Sequence, residues 1–232
     1  TRMTFCYLLH AACPASRRVK YGCLASSTFT PRALASARQQ AITQNVTKCV
    51  FDLLRKWAGS LKGGTVPEYF GDSLLKNPQE PAFLCAAVKP GMRVLEIGTW
   101  HGRTAAYMAD ACPEATILSI DVMTWPPLCA NDVNWFKNRR PNMRLLVGTV
   151  QQLEAFGIGK FDMILVDADH SYHKVKPDLE SALRLLAPGG RLFAHDHCDD
   201  YPGVVQAVSE VCPGWKIIRA GDGCSLVELL KP

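Results

Sequence analysis

The 232-residue chain contains no run of eighteen or more apolar residues, because Asp, His, Lys or Pro interrupts each oily stretch. A membrane-spanning helix needs about twenty apolar residues in succession, so the sequence offers none and no membrane partner is expected. C-x-x-C pairs are also missing: the ten Cys are scattered among apolar neighbours, and three of them, Cys6, Cys13 and Cys23, lie near the N-terminus. That spacing suits neither a zinc knuckle nor a disulfide framework, and buried free thiols are the expectation. Acid is absent from residues 1–51, where Arg2, Arg17, Arg18, Lys20, Arg32, Arg38 and Lys48 stand without one Asp or Glu. Removing these seven from the 26 basic residues leaves 19 against 21 acidic ones, so residues 52–232 carry a formal charge of −2 although the whole chain carries +5. Without a basic footprint on that part, nucleic acid is not expected as a partner.

Ser, Thr and Ala accompany the N-terminal arginines (Ser26, Ser27, Thr28, Thr30, Ala33, Ala35). An acid-free, Arg- and Ser-rich segment has the composition of an organellar transit peptide and equally that of a disordered tail. Residues 1–32 are therefore expected as a targeting or disordered leader, addressed to a chloroplast or mitochondrion in the first case and leaving the chain cytoplasmic in the second. From Ala33 to about Trp57, apolar residues recur at Ile42, Val46, Cys49, Leu53 and Trp57. This three-to-four spacing predicts an amphipathic helix inside an N-terminal helical segment, 33–80. Such a helix would cap a ligand or pair two subunits as a homodimer, and the pattern leaves both open.

Beyond a short helical stretch around Pro81 to Val88, Lys89-Pro90-Gly91 marks a turn, and strand and helix then alternate. Strands are expected at Arg93 to Ile97, Thr116 to Ile120, Met143 to Val147, Phe161 to Val166 and Arg191 to Ala194. Helices are expected at Thr104 to Ala111, Thr149 to Ala155, Val175 to Leu186 and Val204 to Val211. Two last strands, Lys216 to Ala220 and Ser225 to Leu229, flank Gly221-Asp222-Gly223, a turn suited to an antiparallel hairpin. The expectation is an α/β domain over 81–232: a doubly wound, mostly parallel seven-stranded Rossmann-like sheet with an antiparallel C-terminal hairpin.

Such sheets bind ligands at the carboxyl ends of their strands. Those ends carry Glu96-Ile97-Gly98, Asp121, Gly148, Asp167-Ala168-Asp169-His170 and His195-Asp196-His197. Collecting like charges on one rim costs free energy unless a cation or hydrogen-bond donors compensate, so the rim reads as functional. Gly98-Thr99-Trp100-His101-Gly102 follows the first strand with the spacing G-x-x-x-G. A dinucleotide fingerprint, G-x-G-x-x-G, would have glycine where Trp100 stands, and Glu96 adds negative charge where a pyrophosphate needs the opposite. A cofactor without phosphate and with a positive charge suits this loop better. Asp121 follows Gly98 by 23 residues, the interval at which these folds place an acid on a ribose diol.

The segments Val94-Leu95-Glu96-Ile97-Gly98-Thr99-Trp100-His101-Gly102-Arg103-Thr104, Ile120-Asp121, Phe161 to Tyr172 and Leu186-Ala187-Pro188-Gly189-Gly190-Arg191 resemble the motifs of class I S-adenosylmethionine-dependent methyltransferases. D-x-D-H-S-Y and H-D-H are most similar to the small-molecule O-methyltransferase branch that includes catechol-type and cephalosporin-hydroxylase-like enzymes. The resemblance, over roughly residues 80–230, implies S-adenosyl-L-methionine as cofactor and a small-molecule acceptor. It implies the methionine end of the cofactor at Glu96, Gly98 and Thr104, within the loop of Thr99, Trp100 and Gly102, with Asp167 at the neighbouring strand end. It implies the ribose on Asp121, and adenine beside Val122 and the loop from Gly148 to Gln151. It further implies a divalent metal, Mg²⁺ or another, on Asp167, Asp196 and His197; the imidazole at His197, where relatives carry Asn, Asp or Glu, favours Mn²⁺, Fe²⁺ or Zn²⁺. His170 falls where catechol-type relatives carry a catalytic Lys, and with Asp167 it is expected to serve deprotonation of the acceptor hydroxyl; His173 and His195 are the next candidates. The segment Met123 to Pro141, with Trp125, Trp135 and Phe136, reads as an aromatic lid or as packing on the sheet. Two rival readings stay open: an NAD-dependent oxidoreductase on the same fold, and a cofactor-binding protein without turnover.

Overall fold

The computed structural model describes Asn77, residues 79–124, Val133, Asn134 and residues 137–232. The expected leader 1–32, nearly all of the segment 33–80, and Trp125, Trp135 and Phe136 lie outside the described residues. The chain enters on α1 (Gln79–Ala87) and alternates through β1 (Arg93–Ile97), α2 (Arg103–Ala111), β2 (Thr116–Asp121), β3 (Met143–Val147), α3 (Val150–Ala155), β4 (Phe161–Val166), α4 (Tyr172–Leu185), β5 (Leu186–Ala194) and α5 (Pro202–Val211). It closes with β6 (Lys216–Arg219) and β7 (Val227–Leu230).

One seven-stranded sheet runs in the order β3-β2-β1-β4-β5-β7-β6. The first five strands are parallel, and β7 is antiparallel to both β5 and β6. Strand residues alternate between two apolar layers. Leu95, Ile97, Leu118, Ile120, Ile164 and Val166 pack with Val150, Leu153, Val175, Leu179, Val204 and Ala207 of α3, α4 and α5. Val94, Ile117, Met163, Leu165 and Phe193 pack on the other face with Leu84 and Ala87 of α1 and Ala105 and Met108 of α2. Burying strands on both faces explains why they read as continuous apolar runs. Each fully buried large side chain contributes about 1.5–3 kcal/mol, and this two-sided core makes the sheet a rigid platform.

Several boundaries move. The strand expected at Ser225 begins at Val227, because the amides of Ser225 and Leu226 donate to the Glu80 carboxylate at 2.5 and 2.9 Å instead of joining a ladder. The strand expected at Arg191 begins at Leu186, with Pro188, Gly189 and Gly190 absorbed by a register shift opposite Phe161 and Met163. Helix α4 starts at Tyr172, three residues before Val175, where the Asp169 carboxylate accepts from the Ser171 amide at 2.7 Å and fixes the turn ahead of it.

Candidate functional site

The strand order reverses between β1 and β4, and there the carboxyl ends of these two strands lie side by side. A Cβ on Gly98, at φ 99°, would stand 2.0 Å from the Asp167 carbonyl oxygen, so only glycine lets the first loop pass beneath the β4 turn. Among the described residues, three non-glycine residues have positive φ: Trp100, Met123 and Asp196, at 42°, 57° and 55°. All three follow strands β1, β2 and β5 at the same rim, the clustering that strained backbone shows at sites holding ligands.

Asp121 organises the glycine loop. Its Oδ2 accepts from the Thr99 amide at 2.7 Å and, more weakly, from that of Trp100 at 3.4 Å, while Oδ1 accepts from Met123 at 3.0 Å. Oδ1 keeps a second lone pair, and the residue is half-buried, so the carboxylate retains acceptor capacity toward a ribose hydroxyl. Behind it, Thr99 Oγ1 and Ser119 Oγ lie 2.6 Å apart, and Ser119 hydrogen-bonds the Glu96 carboxylate. Glu96 is thus a buried acid tied into the sheet through β2, and Thr104 is buried in the first turn of α2. Gly102 takes φ 76° as the residue preceding that helix. Trp100, Val122 and Val147 are exposed at this edge and offer apolar surface beside Asp121. The Gly148 amide donates to the Asp121 carbonyl at 2.8 Å, and the Gln151 amide group donates to Asp178 of α4 at 2.8 Å, which commits its side chain to the helix.

At the ends of β4 and β5, a second cluster forms. Nδ1 of His195 lies 3.1 Å from Asp167 Oδ1 and 3.1 Å from Asp196 Oδ2. The same Asp196 oxygen lies 2.7 Å from Nε2 of His170, whose ring stacks on Tyr201 at 4.3 Å between centroids. Nε2 of His195 meets Glu80 Oε2 and Ser225 Oγ, both at 3.2 Å. Burial opposes charge on His195, but Asp167, Asp196 and Glu80 outweigh it and raise its pKa well above the usual histidine value. Burial likewise works to raise the pKa of Asp196, and His195 and His170 together bring it below the usual carboxylate range. His170 is exposed and reaches the crevice, whereas the buried His195 faces carboxylates, so its expected place as an alternative base gives way to one among the acids. His173 is exposed on α4 with its ring against Tyr172.

The ligand set also changes. Asp167, His195 and Asp196 bring one donor atom each within 4.8 Å of one another, and His197 is not among them. Its ring turns instead toward Arg219, whose Nη2 lies 3.4 Å from Nδ1, while Nη1 donates to the His197 carbonyl at 2.8 Å. Burial and then the Arg219 charge depress the His197 pKa, keeping that imidazole neutral. In the cluster of three, the His195 Nδ1 makes no hydrogen bond of good geometry although two carboxylate oxygens flank it. Donors about 3 Å apart match neighbouring ligands on an ion with bonds of about 2.1 Å, and one imidazole with two carboxylates suits a borderline divalent ion. The residues fit a cation. Sequence reasoning had no view of Glu80, although it is the sole charge in the apolar run Gln79 to Val88, and a lone acid in such a run is the signal that points to a buried partner.

Residues 95–197 match the family model described as a methyltransferase domain. A fatty-acid O-methyltransferase from Mycolicibacterium smegmatis is 32% identical over 109 residues, 46% of this chain and 37% of that protein. The chain thus spans little more than a third of the length of that relative. Among solved structures, the N-methyltransferase NodS from Bradyrhizobium japonicum in complex with S-adenosyl-L-homocysteine superposes with a TM-score of 0.53 at 19% identity, over 75% of this chain and 97% of its own. TrmN from Thermus thermophilus gives 0.50 at 23% identity, over 66% and 49%. These two likenesses concern the fold. Motif order and strand order agree with that match, and residues 95–197 are thus similar to the methyltransferase-domain family.

Proposed function

We propose that this chain transfers the methyl group of S-adenosylmethionine to an oxygen of a small molecule. The observation that carries the reading is Asp121: one carboxylate pins the glycine loop through Thr99 and keeps an Oδ1 lone pair for a ribose hydroxyl, beside exposed apolar surface. The cofactor would supply an electrophilic methyl, and the remaining work falls to this chain's own side chains. Glu96, Gly98 and Thr104 border the methionine end, and Trp100, Val122 and Val147 provide apolar surface for the base.

An acceptor oxygen must lose a proton to become a strong nucleophile. His170 is suited to take it: with Nε2 held by Asp196 at 2.7 Å, Nδ1 is left as the basic lone pair at the mouth of the crevice. The relative named a fatty-acid O-methyltransferase supports an oxygen acceptor, and the formal charge of −2 over residues 52–232 accords with a small molecule. In this reading Asp167, His195 and Asp196 would hold a divalent cation, which when bound would lower the pKa of a nearby hydroxyl. Titration calorimetry tests the proposal. S-adenosylhomocysteine should bind with a measurable heat while NAD gives none; heat with NAD alone would overturn it.

A further inference from the structure

Glu80 lies fifteen residues before the segment that matches the family model, yet its carboxylate is 2% exposed and touches four groups. Oε1 accepts from the amides of Ser225 at 2.5 Å and Leu226 at 2.9 Å and from Ser225 Oγ at 3.3 Å. Oε2 faces His195 Nε2 at 3.2 Å. We propose that Glu80 is the positioning residue of a cation site built by Asp167 Oδ1, His195 Nδ1 and Asp196 Oδ2, and that α1 is therefore part of the active centre.

Glu80 selects the tautomer of His195. A carboxylate accepts and cannot donate, so Glu80 requires the hydrogen on Nε2 of His195. In the neutral ring that leaves the Nδ1 lone pair aimed between two carboxylate oxygens, each 3.1 Å away. A positive charge belongs in the space between these three atoms: a proton on Nδ1 supplies it in the free protein, and a divalent ion that displaces this proton takes its place. Histidine ligands of metals are oriented in this way, with the second ring nitrogen donating to a carboxylate behind it. Glu80 supplies that carboxylate from a helix which the domain match leaves out, and its hold on Ser225 and Leu226 fixes it to β7.

The inference rests on the cation reading above, and one variant separates its parts. In Glu80→Gln, the amide oxygen still accepts from Ser225 and Leu226, so the clamp on β7 survives. Its NH₂ would now face His195 Nε2, favouring the opposite tautomer and placing a hydrogen on Nδ1 where a cation should sit. Titrating Mn²⁺ calorimetrically, we expect roughly 10–100-fold weaker binding than in the parent chain, the usual loss for an outer partner of a ligating histidine. S-adenosylhomocysteine affinity should stay unchanged, which a general loss of structure at this edge would not give. Equal Mn²⁺ affinity in both chains overturns the proposal. So does a parent chain that binds S-adenosylhomocysteine but no Mn²⁺, an outcome that leaves the methyltransferase reading standing. A measurement on the parent chain alone covers a variant that fails to fold. Imidazole nitrogen NMR with Zn²⁺ should show His195 protonated at Nε2 with an Nδ1 resonance that moves on metal addition. A hydrogen on Nδ1 in the Zn²⁺-loaded protein would overturn the assignment.

Discussion

At the scale of single residues, the rim combines side chains that sequence spacing pairs and others that only folding brings together. Gly98 and Asp121 are legible from their interval after β1, but the reason for Gly98 is not: the obstacle to a side chain is the Asp167 backbone, 69 residues away, which no local pattern contains. His170 is legible as a rim imidazole, and its orientation by Asp196 is visible only once β4 and β5 lie side by side. That orientation makes a kinetic expectation. Replacing His170 by Ala should lower kcat about 10²–10⁴-fold, the usual contribution of a positioned base. Cofactor affinity should not change, because Asp121 and the glycine loop hold that end. Stopped methyl-transfer assays together with S-adenosylhomocysteine titration check the split; unchanged kcat would move the base elsewhere on the rim. His197 teaches the opposite lesson. Adjacency in sequence to Asp196 marks it as a co-ligand, yet Asp196 takes φ 55° and the next ring ends against Arg219. Neighbours in sequence at a strand end do not share a direction.

At the scale of elements, the parallel half of the sheet was readable because both faces are buried and the strands appear as apolar runs between turn residues. The C-terminal half was readable in kind, less so in its limits, since Glu80 of α1 takes over the amides that would extend β7. Joining β5 to an antiparallel β7 depends on a charged contact. Arg191 Nε and Nη2 donate to the two oxygens of Glu228 at 2.6 and 2.8 Å, and the Glu228 side chain is 6% exposed where the Arg191 side chain is 32%. Another guanidinium nitrogen reaches the Ala87 carbonyl at 3.4 Å, so α1 is tied to the same strand. Arg191→Ala leaves a buried carboxylate without its partner and should cost about 3 kcal/mol, the low end for such losses because the arginine is partly solvated. Replacing both residues by Met should cost less than the single change, since no charge is then stranded. Urea unfolding of the two variants decides; an equal or larger loss in the double variant would show that shape, and not charge, holds this edge.

At the scale of the whole molecule, a core of ordinary apolar packing encloses an unusual concentration of buried ionisable groups where α1, β4, β5 and the approach to β7 meet. That concentration makes stability depend on pH in a direction the individual shifts fix. Glu80 has its folded pKa lowered: burial works to raise it, and the hydrogen bonds from His195, Leu226 and Ser225 overcome burial. Asp196 is lowered in the same sense by His195 and His170. For a carboxylate held below its unfolded value, the stabilisation is present above that value and is lost as pH falls through the folded one. His197, depressed by burial and Arg219, adds a penalty of the same sign, because below its ordinary value of 6.5 the unfolded chain binds a proton that the folded chain resists. His195 runs the other way. Its raised pKa contributes fully below 6.5 and is lost only as pH rises through the folded value, so it does not offset an acid-side loss. The unfolding temperature should therefore decline gently from neutrality toward pH 4.5, the ordinary value for Glu80, and steeply below it as Glu80 and Asp196 take up protons. Glu80→Gln removes one of the two carboxylates and should flatten the steep limb while leaving the gentle one. Differential scanning calorimetry of both chains from pH 7 to pH 3 supplies the comparison. Parallel limbs in the two would mean that the buried cluster does not set the acid limit, and that the exposed carboxylates of the remaining surface do.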